Sequence, residues 1–348
     1  MLEQTLGVCQ SLYNDALQER RDAWQTCRQS VNYYQQANQL SACKAVDASM
    51  VTVHSQVLQD VLRRVDKTFQ AFFRRGHGFP RFRSRNRYDS FTYPQVGFEV
   101  DDNHLKLSKI GNLKLKLHRP ITGQIKTLTI KRENGMFYAC FSVALLPEPL
   151  PANDHVVGID MGLEWFAVTS DAEIIDNPRW FGNAQKKLRR AARKVFRRIK
   201  GSKRRGKAVG LLSKIHQHVF HQRNDFQHKH AYEIVRDHGT ILVEDLKVKG
   251  LAGGMLAQSV HDVGWSAFIS KLTYKAERAG RELVKVDPRG TSQRCPCGNP
   301  VPKKLSDRLH HCFVCGLQTS RDHASALEIL RLGLSLQTLS TVRNPVLV

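Results

Sequence analysis

Hydrophobic residues in the first 75 positions recur at intervals of three and four, the spacing of one helix face. The first set runs through Leu2, Leu6, Cys9, Leu12, Tyr13, Ala16 and Leu17. A second set predicts a helix over about 46–75 with these side chains inward: Val53, Val57, Leu58, Val61, Leu62, Val65, Phe69, Phe72 and Phe73. A stripe of this kind buries one side of a helix against a core. The pattern therefore predicts a helical region over residues 1–75.

The periodicity changes to strict alternation between residues 96 and 144. The alternating segments are Leu105–Leu107, Leu113–Leu117, Ile125–Lys131 and Met136–Val143. Alternation of apolar and polar residues is typical of half-buried strands, and here the exposed positions are largely lysine. The pattern predicts a small, basic, antiparallel barrel. Three closely spaced prolines, at positions 147, 149 and 151, predict a stiff linker after it.

Continuous apolar runs in the second half predict buried strands that end in acids. The runs Val156–Ile159 and Trp165–Val168 are separated by a glycine-containing turn and predict a hairpin, with Asp160 at the end of its first strand. The run Thr240–Val243 likewise ends in Glu244. A buried carboxylate is costly unless a positive charge compensates it, and a divalent metal is the usual compensation. These positions therefore predict metal ligands.

A third acid, Asp322, stands at the start of a predicted helix rich in small residues. Two acids at strand ends and one at a helix start can converge on two Mg²⁺ ions. One ion would generate hydroxide and the other would stabilise the leaving 3′-oxygen in phosphodiester hydrolysis. The alternative is that each acid is a cap or a salt-bridge partner, and Asp322 in particular could cap its helix.

Four cysteines cluster as CxC and CxxC pairs, each followed by glycine: Cys295, Cys297, Cys312 and Cys315. This pattern predicts a zinc ribbon with a structural Zn²⁺ held by four thiolates, which leave no open position for chemistry. His310 or His311 could substitute for one cysteine. The other four cysteines (Cys9, Cys27, Cys43 and Cys140) are scattered, which favours thiols in a reducing compartment over disulfides.

Composition adds a strong positive charge. The 348 residues carry a formal net charge of +23, with a pI near 9.9. Such an excess favours a polyphosphate partner. The sequence has no apolar run near the roughly 18–20 residues of a spanning helix and no signal-peptide pattern. We therefore expect a cytoplasmic protein that binds nucleic acid and no membrane.

Two N-terminal segments are candidates for nucleic-acid contact. Arg81, Arg83, Arg85 and Arg87 alternate among aromatic residues as on one face of an extended strand, which suits phosphate contact with base stacking. The alternative is a basic edge strand protected from aggregation. Gln56 and Gln59 lie on the polar face of the second predicted helix. Glutamine can contact adenine bidentately in a major groove, but the alternative of an ordinary solvated helix face is the one we favour.

A third candidate is the segment Gln185–Arg205, which predicts one helix with a narrow apolar stripe. The stripe consists of Leu188, Ala192, Val195, Phe196 and Ile199, and the cationic face includes Lys186, Lys187, Arg189, Arg190 and Arg193. So many like charges favour a polyanionic partner over a solvated charge run. A helical hairpin through Leu211–Arg236 is expected to return the chain to the sheet.

Several motifs together resemble one known family. They are GFPRFRS at 78–84, GIDMG at 158–162, VEDL at 243–246, TSQRCPCG at 291–298, CFVCG at 312–316 and SRDHASALEIL at 320–330. In this order they resemble the transposon-encoded TnpB (OrfB) proteins, compact RNA-guided DNA endonucleases similar to type V CRISPR effectors. Three features depart from the family. The helical pattern starts at Met1 where relatives begin with a strand, so that either the barrel lacks one strand or the start codon is misassigned. The first cysteine pair is one residue short, and Ser320 stands where an acid is common.

The resemblance implies an α+β multidomain fold. Its central part would be a RuvC-like (RNase H-like) mixed α/β nuclease domain with Asp160, Glu244 and Asp322 as metal ligands. The expected divisions are a helical recognition region at 1–75, a wedge-like β-barrel at 76–150, the nuclease domain at 151–287 and 317–332, an inserted zinc ribbon at 288–316, and a tail at 333–348 with no assigned role.

The resemblance also implies the activity and the partners. One chain would bind one guide RNA, and pairing with that RNA would select the target double-stranded DNA. The protein itself would read a short flanking motif and cut with Mg²⁺. Two alternatives remain open: a guide-dependent DNA-binding regulator that does not cut, and a transposase that acts directly on DNA with the same acids.

Overall fold

A computed structural model describes residues 1–146, 149–247, 250, 257–304 and 306–343 of the chain. The chain divides into two units, Met1–Leu146 and Pro147–Val348. In the part of the chain so described, no helix combines the length and the hydropathy that a bilayer span requires. Pro147, of the predicted linker, and the last five residues of the predicted tail lie outside the described residues.

The first unit begins with a helical region, as the spacing predicts, but it contains three helices where the pattern predicts two. They are α1 (Leu2–Cys27), α2 (Tyr33–Val46) and α3 (Ser55–Arg75), with a 3₁₀ turn at Ala48–Thr52. The predicted start of the second helix near residue 46 is wrong, because the side chain of Asp47 accepts a hydrogen bond from the Ser49 amide and caps the 3₁₀ turn instead. Helix α2 buries only Gln36 and Leu40, so it carries too weak a stripe to be separated by pattern alone.

The C-terminal end of α3 differs from its prediction. Phe73 is 74% exposed and does not face the core. Its neighbour Phe72 packs instead against Phe79, with ring centroids 5.4 Å apart, and Phe69 also contacts Phe79 at 5.8 Å. Gly76 caps the C-terminal end of the helix, and its positive φ of 63° suits a glycine. The aromatic residues here form a half-exposed cluster beyond the core.

Six strands follow, and each of the four alternating segments overlaps one of them. They are β1 (Ser90–Tyr93), β2 (Phe98–Asp101), β3 (His104–Leu107), β4 (Gly111–Lys114), β5 (Gln124–Glu133) and β6 (Met136–Ala144). Their hydrogen bonds divide them into two antiparallel three-stranded sheets, β1-β5-β6 and β2-β3-β4. The predicted alternation is visible in β3, where Leu105 and Leu107 are buried and the alternate residues His104 and Lys106 are exposed. Closure of the two sheets into a barrel stays a prediction.

The arginine-rich segment is not a strand. Ser84 accepts hydrogen bonds from the amides of Arg87 and Tyr88 at 2.8 and 3.1 Å, which bends the chain before β1 begins. Asn14 holds both the amide and the carbonyl of Arg83, so this stretch is fixed by side chains and not by a neighbouring strand. The predicted extended alternation of arginines is therefore wrong, although all four of these arginines are exposed.

The second unit contains a mixed five-stranded sheet. Its strands are β7 (Val156–Asp160), β8 (Trp165–Thr169), β9 (Ile174–Asp176), β10 (Thr240–Glu244) and β11 (Glu282–Val286), in the order β11-β10-β7-β8-β9. The predicted hairpin is confirmed, because β7 and β8 pair antiparallel. Strand β10 lies parallel to both β7 and β11. Three antiparallel strands are thus followed by two parallel ones.

Among the described residues, five helices accompany this sheet: α4 (Trp180–Phe196), α5 (Lys203–Asp237), α6 (Ala257–Val263), α7 (Trp265–Ala279) and α8 (Arg321–Arg343). The prediction of one helix over Gln185–Arg205 is wrong. Helix α4 ends at Phe196, and Ser202 caps the start of α5 by accepting a hydrogen bond from the Arg205 amide at 3.1 Å. The predicted hairpin within Leu211–Arg236 is also wrong, because α5 runs unbroken and the hairpin is formed by α4 with α5.

The break between α4 and α5 changes the apolar stripe. Leu188, Ala191 and Val195 are buried. Phe196 and Ile199, predicted to continue the stripe, are 80% and 82% exposed. Phe196 is the last residue of α4 and Ile199 lies in the break, so the predicted stripe ends at Val195.

The two faces of the sheet are covered by different helices. Val157, Ile159, Ile241 and Val243 share a core with residues of α5 and α7, such as Ala231 and Phe268. Leu242 and Val286, which point to the opposite face, pack with Ile329 of α8. Since successive side chains of a strand point to opposite faces, odd-numbered residues of β7 and β10 face α5 and α7, and even-numbered ones face α8.

A glycine lets α8 approach this sheet closely. A Cβ added to Gly158 would lie 2.7 Å from the Leu330 amide nitrogen and would also clash with the Ala326 carbonyl oxygen. Both obstacles are backbone atoms of α8, which cannot rotate away. The distance between β7 and α8 therefore depends on the absence of a side chain at position 158.

We predict that Gly158→Ala lowers the free energy of unfolding by about 2 kcal/mol or more, because a methyl group there overpacks a tight backbone contact. Chemical denaturation of the purified chain measures the change. The matched control is Gly210→Ala in α5, where an added Cβ meets nothing within 4 Å. That control should be neutral or raise stability by about 0.5–1 kcal/mol, since alanine is the better helix former. Equal effects of the two variants would contradict the packing argument.

Candidate active site

Asp160 and Glu244 lie side by side at one edge of the sheet. Strands β7 and β10 are parallel and in register, with Ile159 opposite Val243. Each acid follows its member of this pair, so the two acids occupy neighbouring strand ends about 4.8 Å apart. Both have even numbers and point to the face covered by α8. The sequence prediction of two acids at the ends of buried strands is confirmed in placement.

Asp322 reaches the same edge from α8. It lies in the first turn of that helix, four residues before Ala326, which contacts Gly158. Four helical residues rise about 6 Å, and the two strand residues from Gly158 to Asp160 rise about 6.6 Å. Because these two lengths are nearly equal, Asp322 lies beside Asp160 at the same end of the sheet. The negative charges of both Glu244 and Asp322 act on the carboxyl group of Asp160.

The electrostatics of these three residues, here called the carboxylate trio, are unfavourable to negative charge. Burial, and then the charges of Glu244 and Asp322, raise the pKa of Asp160 well above its ordinary value. Arg321 opposes that rise, and its Nε lies 3.3 Å from Oδ1 of Asp322. A group of carboxylates with so little positive charge beside it favours binding of a cation.

Glu244 is held in place by a residue from a distant part of the chain. Its side chain is buried, and burial raises its pKa. The hydroxyl of Thr291 donates a hydrogen bond to Oε1 of Glu244 at 2.5 Å, which partly lowers that pKa and fixes the orientation of the carboxylate. Within the described ranges, the trio does not offer three oxygen atoms that all lie within 4.8 Å of one another. The three carboxylates are thus neighbours, but their oxygen atoms are not all within 4.8 Å of one another.

The four clustered cysteines form the second centre. The Sγ atoms of Cys295, Cys297, Cys312 and Cys315 all lie within 4.8 Å of one another. The Cys295–Cys315 and Cys297–Cys312 separations are 3.5 and 3.7 Å, too long for disulfides. A tetrahedral zinc with Zn–S bonds of about 2.3 Å places its sulfurs about 3.8 Å apart. The shorter CxC pair therefore brings its two sulfurs into the group as well as the CxxC pair does.

Glycines and backbone amides shape this four-cysteine group. Gly298 and Gly316, which follow the two pairs, have φ values of 89° and 76° that favour glycine. Hydrogen bonds from the backbone of Cys315 and Val314 to Cys312 lower the pKa of that thiol to about 6. A lowered pKa favours the thiolate, which is the form that binds a metal.

The two nearby histidines are engaged outside the group. The β-strands β12 (Leu309–His311) and β13 (Gln318–Ser320) pair beside the cysteines. Nδ1 of His310 lies 2.7 Å from Nζ of Lys303, and Nε2 of His311 lies 3.1 Å from the side-chain nitrogen of Gln318. Since all four cysteines converge, substitution by a histidine is not needed.

The N-terminal candidates for nucleic-acid contact are partly committed to other contacts. Gln56 accepts a weak hydrogen bond from the Val96 amide at 3.3 Å, and Gln59 is partly buried. Arg83 places its guanidinium 5.1 Å over the ring of Tyr13, whereas Arg81 and Arg85 are exposed. The nucleic-acid roles of these residues stay predictions.

The basic candidates on α4 share one exposed face. Lys186, Lys187, Arg189, Arg190 and Arg193 are all exposed, and the side chains between them point into the unit at Leu188, Ala191 and Val195. An uninterrupted cationic face of this kind can follow a phosphate backbone. The side chains are placed as expected, and their function stays a prediction.

Sequence reasoning missed three residues around the carboxylate trio: Thr291, Arg321 and His323. His323 connects α8 to the sheet, because its ring nitrogens lie 3.1 Å from the Ser170 carbonyl oxygen and 2.8 Å from the Thr319 hydroxyl. All three lie inside quoted motifs, TSQRCPCG and SRDHASALEIL. The signal that could have found them is thus their position next to the acids and cysteines, although their individual contacts depend on the tertiary fold.

Two family models match this chain. The OrfB IS605 family, described as "Probable transposase", matches residues 133–254, and "Cas12f1-like, TNB domain" matches residues 265–329. Among solved structures, the chain is similar to Cas12f1 in a cryo-EM structure of its complex with sgRNA and target DNA, with a TM-score of 0.61 and 15% identity. That likeness covers 94% of this chain and 81% of the other, and it shows a Cas12f1-like, mixed α/β fold.

Curated relatives match over nearly the full length. A "Putative RNA-guided DNA endonuclease" of Streptomyces pristinaespiralis is 32% identical over 345 residues, which cover 96% of this chain and 86% of the relative. The "Putative RNA-guided DNA endonuclease InsQ" of Escherichia coli K12 is 29% identical over 349 residues, with 94% and 87% covered. At this identity and coverage, the chain belongs to the TnpB (OrfB) family.

Proposed function

We propose that this chain is an RNA-guided DNA endonuclease of a transposable element. One chain binds one guide RNA, and pairing between that RNA and one strand of double-stranded DNA selects the target. The protein contributes recognition of a short flanking motif and the chemistry of cutting. The names of the curated relatives support this activity, and the observation that carries it is the convergence of the carboxylate trio on one face of the sheet.

The donor set of the trio fits divalent magnesium. Carboxylate oxygens are the ligands that Mg²⁺ prefers, and the raised pKa of Asp160 indicates negative charge that the surrounding protein does not balance. Asp160, Glu244 and Asp322 would hold two Mg²⁺ ions. Bound there, the metal would supply an activated hydroxide and stabilisation of the leaving 3′-oxygen of the phosphodiester.

The chain's own groups prepare this site. Thr291 orients Glu244 through its hydroxyl, and Arg321 neutralises part of the charge next to Asp322. The close contact of α8 with Gly158 fixes the height of Asp322 above the sheet. Thr291, Arg321 and Gly158 are therefore positioning residues, and we assign none of them a contact with the substrate.

We further propose the finer division of the fold. The sheet of three antiparallel strands followed by two parallel ones supports a RuvC-like nuclease domain over 151–287 and 317–332. The four-cysteine group supports a zinc ribbon over 288–316 with one structural Zn²⁺. Residues 1–75 would form the recognition helices and 76–150 the wedge-like barrel. Helix α8 continues through Arg343, so the first part of the segment 333–348 belongs to the helix that carries Asp322.

The basic surfaces are proposed to hold RNA scaffold or heteroduplex. Their side chains are those of Arg81, Arg83, Arg85, Lys186, Lys187, Arg189, Arg190 and Arg193, with Gln56 and Gln59 as the candidates for base contact. A guide-dependent regulator without cleavage would not need a complete carboxylate trio, so the trio favours the nuclease. A transposase acting directly on DNA would need the same acids but no guide RNA, and the first experiment below separates the two.

We predict that a discrete RNA copurifies with the chain from cells that carry its native locus. The complex should cut DNA complementary to that RNA with Mg²⁺ and not with EDTA. Asp160→Ala should lower cleavage at least about 10³-fold, because one ligand of the metal site is lost, while RNA binding is unchanged. Gel assays on matched DNA measure cleavage, and sequencing identifies the RNA.

The matched control is Asp245→Asn, since Asp245 follows Glu244 directly but is exposed and lies 3.6 Å from Lys285. This variant should cut like the parent chain. Cleavage that survives Asp160→Ala would refute the assignment of the trio. Bound RNA without cutting by the parent chain would favour the regulator, and the absence of any specific RNA would favour the transposase.

Cys312→Ser is expected to remove one equivalent of zinc per chain and to lower the thermal midpoint, because a structural zinc stabilises its ribbon directly. Metal analysis by mass spectrometry and a thermal melt measure the two effects. Cys140→Ser serves as the control, since Cys140 is an exposed free thiol on β6. An unchanged zinc content in Cys312→Ser would rule out the four-cysteine site.

The double variant Arg189→Gln and Arg190→Gln should weaken RNA binding and make its salt dependence shallower. The slope of log K against log salt should fall in magnitude by about 1–2, because each phosphate contact contributes about 0.7–0.9. Filter binding at several salt concentrations measures this slope. The control is Arg236→Gln on α5, an exposed arginine already paired with Asp237 at 2.6 Å. A slope equal to that of the control would identify the α4 face as an ordinary solvated charge run.

A further inference from the structure

Three metal-binding side chains meet at the edge of the sheet opposite to the carboxylate trio: His155, Asp171 and His238, here called the His-Asp-His cluster. Their ligand atoms all lie within 4.8 Å of one another. Nε2 of His238 is 3.3 Å from Oδ2 of Asp171, and Nε2 of His155 is 3.5 Å from the same oxygen. None of the three has a place in the nuclease proposed above.

The topology explains why these distant residues meet. His155 immediately precedes β7, and His238 lies between α5 and β10, so both stand at the beginnings of parallel neighbours. Asp171 follows the end of β8, which is antiparallel to β7 and therefore ends at this same edge. The trio lies at the other ends of β7 and β10.

The backbone fixes the two histidines relative to each other. The carbonyl of His155 accepts hydrogen bonds from the amides of Gly239 and Thr240, at 2.8 and 3.3 Å. A Cβ at Gly239 would collide with the carbonyl of Asn153, so the approach requires a glycine. Asn153 also accepts from the His155 amide and donates to the Asp237 carbonyl. The cluster is thus held by main-chain contacts that do not depend on its own side chains.

The tautomer of His238 leaves a lone pair directed into the cluster. Its Nδ1 lies 2.9 Å from the carbonyl oxygen of Ile234, which can only accept, so Nδ1 carries a hydrogen. In the neutral ring, Nε2 then has a lone pair, and it faces a carboxylate oxygen of Asp171. Two acceptors at 3.3 Å repel each other unless a metal cation or a proton lies between them. Hydrogen bonding of the outer ring nitrogen to a carbonyl is also the usual arrangement of a metal-bound histidine.

The spacing matches a metal's coordination shell. Zinc binds imidazole nitrogen and carboxylate oxygen at about 2.0–2.1 Å, and the edge of such a tetrahedron is about 3.4 Å. The two measured separations of 3.3 and 3.5 Å agree with that edge. His155 and Asp171 are exposed, which leaves access for an ion and for water to complete its coordination, while His238 is buried.

We propose that His155, Asp171 and His238 form a site for a divalent transition-metal ion of the zinc, cobalt or nickel type. Two imidazoles and one carboxylate are ligands that suit such ions better than Mg²⁺. The ion links the start of β7, the turn after β8 and the end of α5, and so stabilises this edge of the sheet. This site is separate from the carboxylate trio and from the four-cysteine group, and it does not require nuclease activity.

Cobalt titration of the full-length chain tests the site. The parent protein for this titration is the Asp160→Ala variant with zinc already bound at its four cysteines. The substitution removes one carboxylate of the trio, so that the trio does not compete for cobalt. We expect one further equivalent of Co²⁺ per chain by calorimetry, with visible d–d absorption and without sulfur-to-cobalt charge-transfer bands. Saturation with Co²⁺ should also raise the thermal midpoint.

His155→Ala in the same parent should weaken this binding at least tenfold and remove the thermal shift. The exposed position of His155 makes loss of folding unexpected, and Asp171→Asn provides a second variant with the same expectation. The matched control is His230→Ala on α5, a histidine that pairs with Glu233 at 2.8 Å outside the cluster. It should bind cobalt like the parent.

Two outcomes would overturn the proposal. One is a parent protein that binds no further cobalt, and the other is equal binding by His155→Ala and the parent. Either result would mean that the His-Asp-His cluster is held together by a protonated histidine that donates a hydrogen bond to Asp171, and not by a metal ion. Neither outcome bears on cleavage, so a failure here is distinguishable from a failure of the proposed nuclease function.

Discussion

Mutual repulsion among Asp160, Glu244 and Asp322 works against the folded state, because burial removes the water that would screen their charges. The first two cannot move apart, since they end parallel strands whose pairing is fixed by backbone hydrogen bonds. The third cannot withdraw, since α8 is seated on Gly158. Arg321 and Thr291 offset only part of the cost. The fold therefore holds an unfavourable charge arrangement, and a cation bound at the metal site that we propose would relieve it.

The small residues of α8 have a geometric role that follows from this. Ala326 meets the sheet at Gly158, and Gly333 lies so close to Leu242 that a Cβ would overlap the leucine side chain. The helix thus lies against β7 and β10 at two points. A larger residue at either point would tilt or lift α8 and move Asp322 relative to the other acids. The small residues of α8 thus determine how closely the helix that carries Asp322 approaches the sheet that carries the other two acids.

Much of this site could be predicted from the sequence, because its parts are local. An apolar run ending in an acid is visible at Asp160 and at Glu244, and the cysteine pairs need only short knuckles. What the sequence could not provide depends on contacts far along the chain. Asn14 holds Arg83 in a coil where alternation predicts a strand, and Ser202 starts a new helix inside a continuous cationic pattern. The His-Asp-His cluster was missed for the same reason, since its members are isolated residues that only the strand order brings together.

The net charge of +23 and the negative site have to be considered together. A phosphodiester is repelled by three carboxylates, so attraction must come from elsewhere on the chain. The exposed arginines and lysines of α4 belong to the same unit as the trio and can supply it through counterion release. The carboxylates become attractive to a phosphate only after divalent cations reverse their charge. In the proposed nuclease, affinity and chemistry are therefore separable: the basic surfaces would hold a nucleic acid without metal, whereas cutting would require the metal. A chain that lost one acid would keep its hold on RNA and DNA, which is how a nuclease of this design could become a regulator by a single substitution.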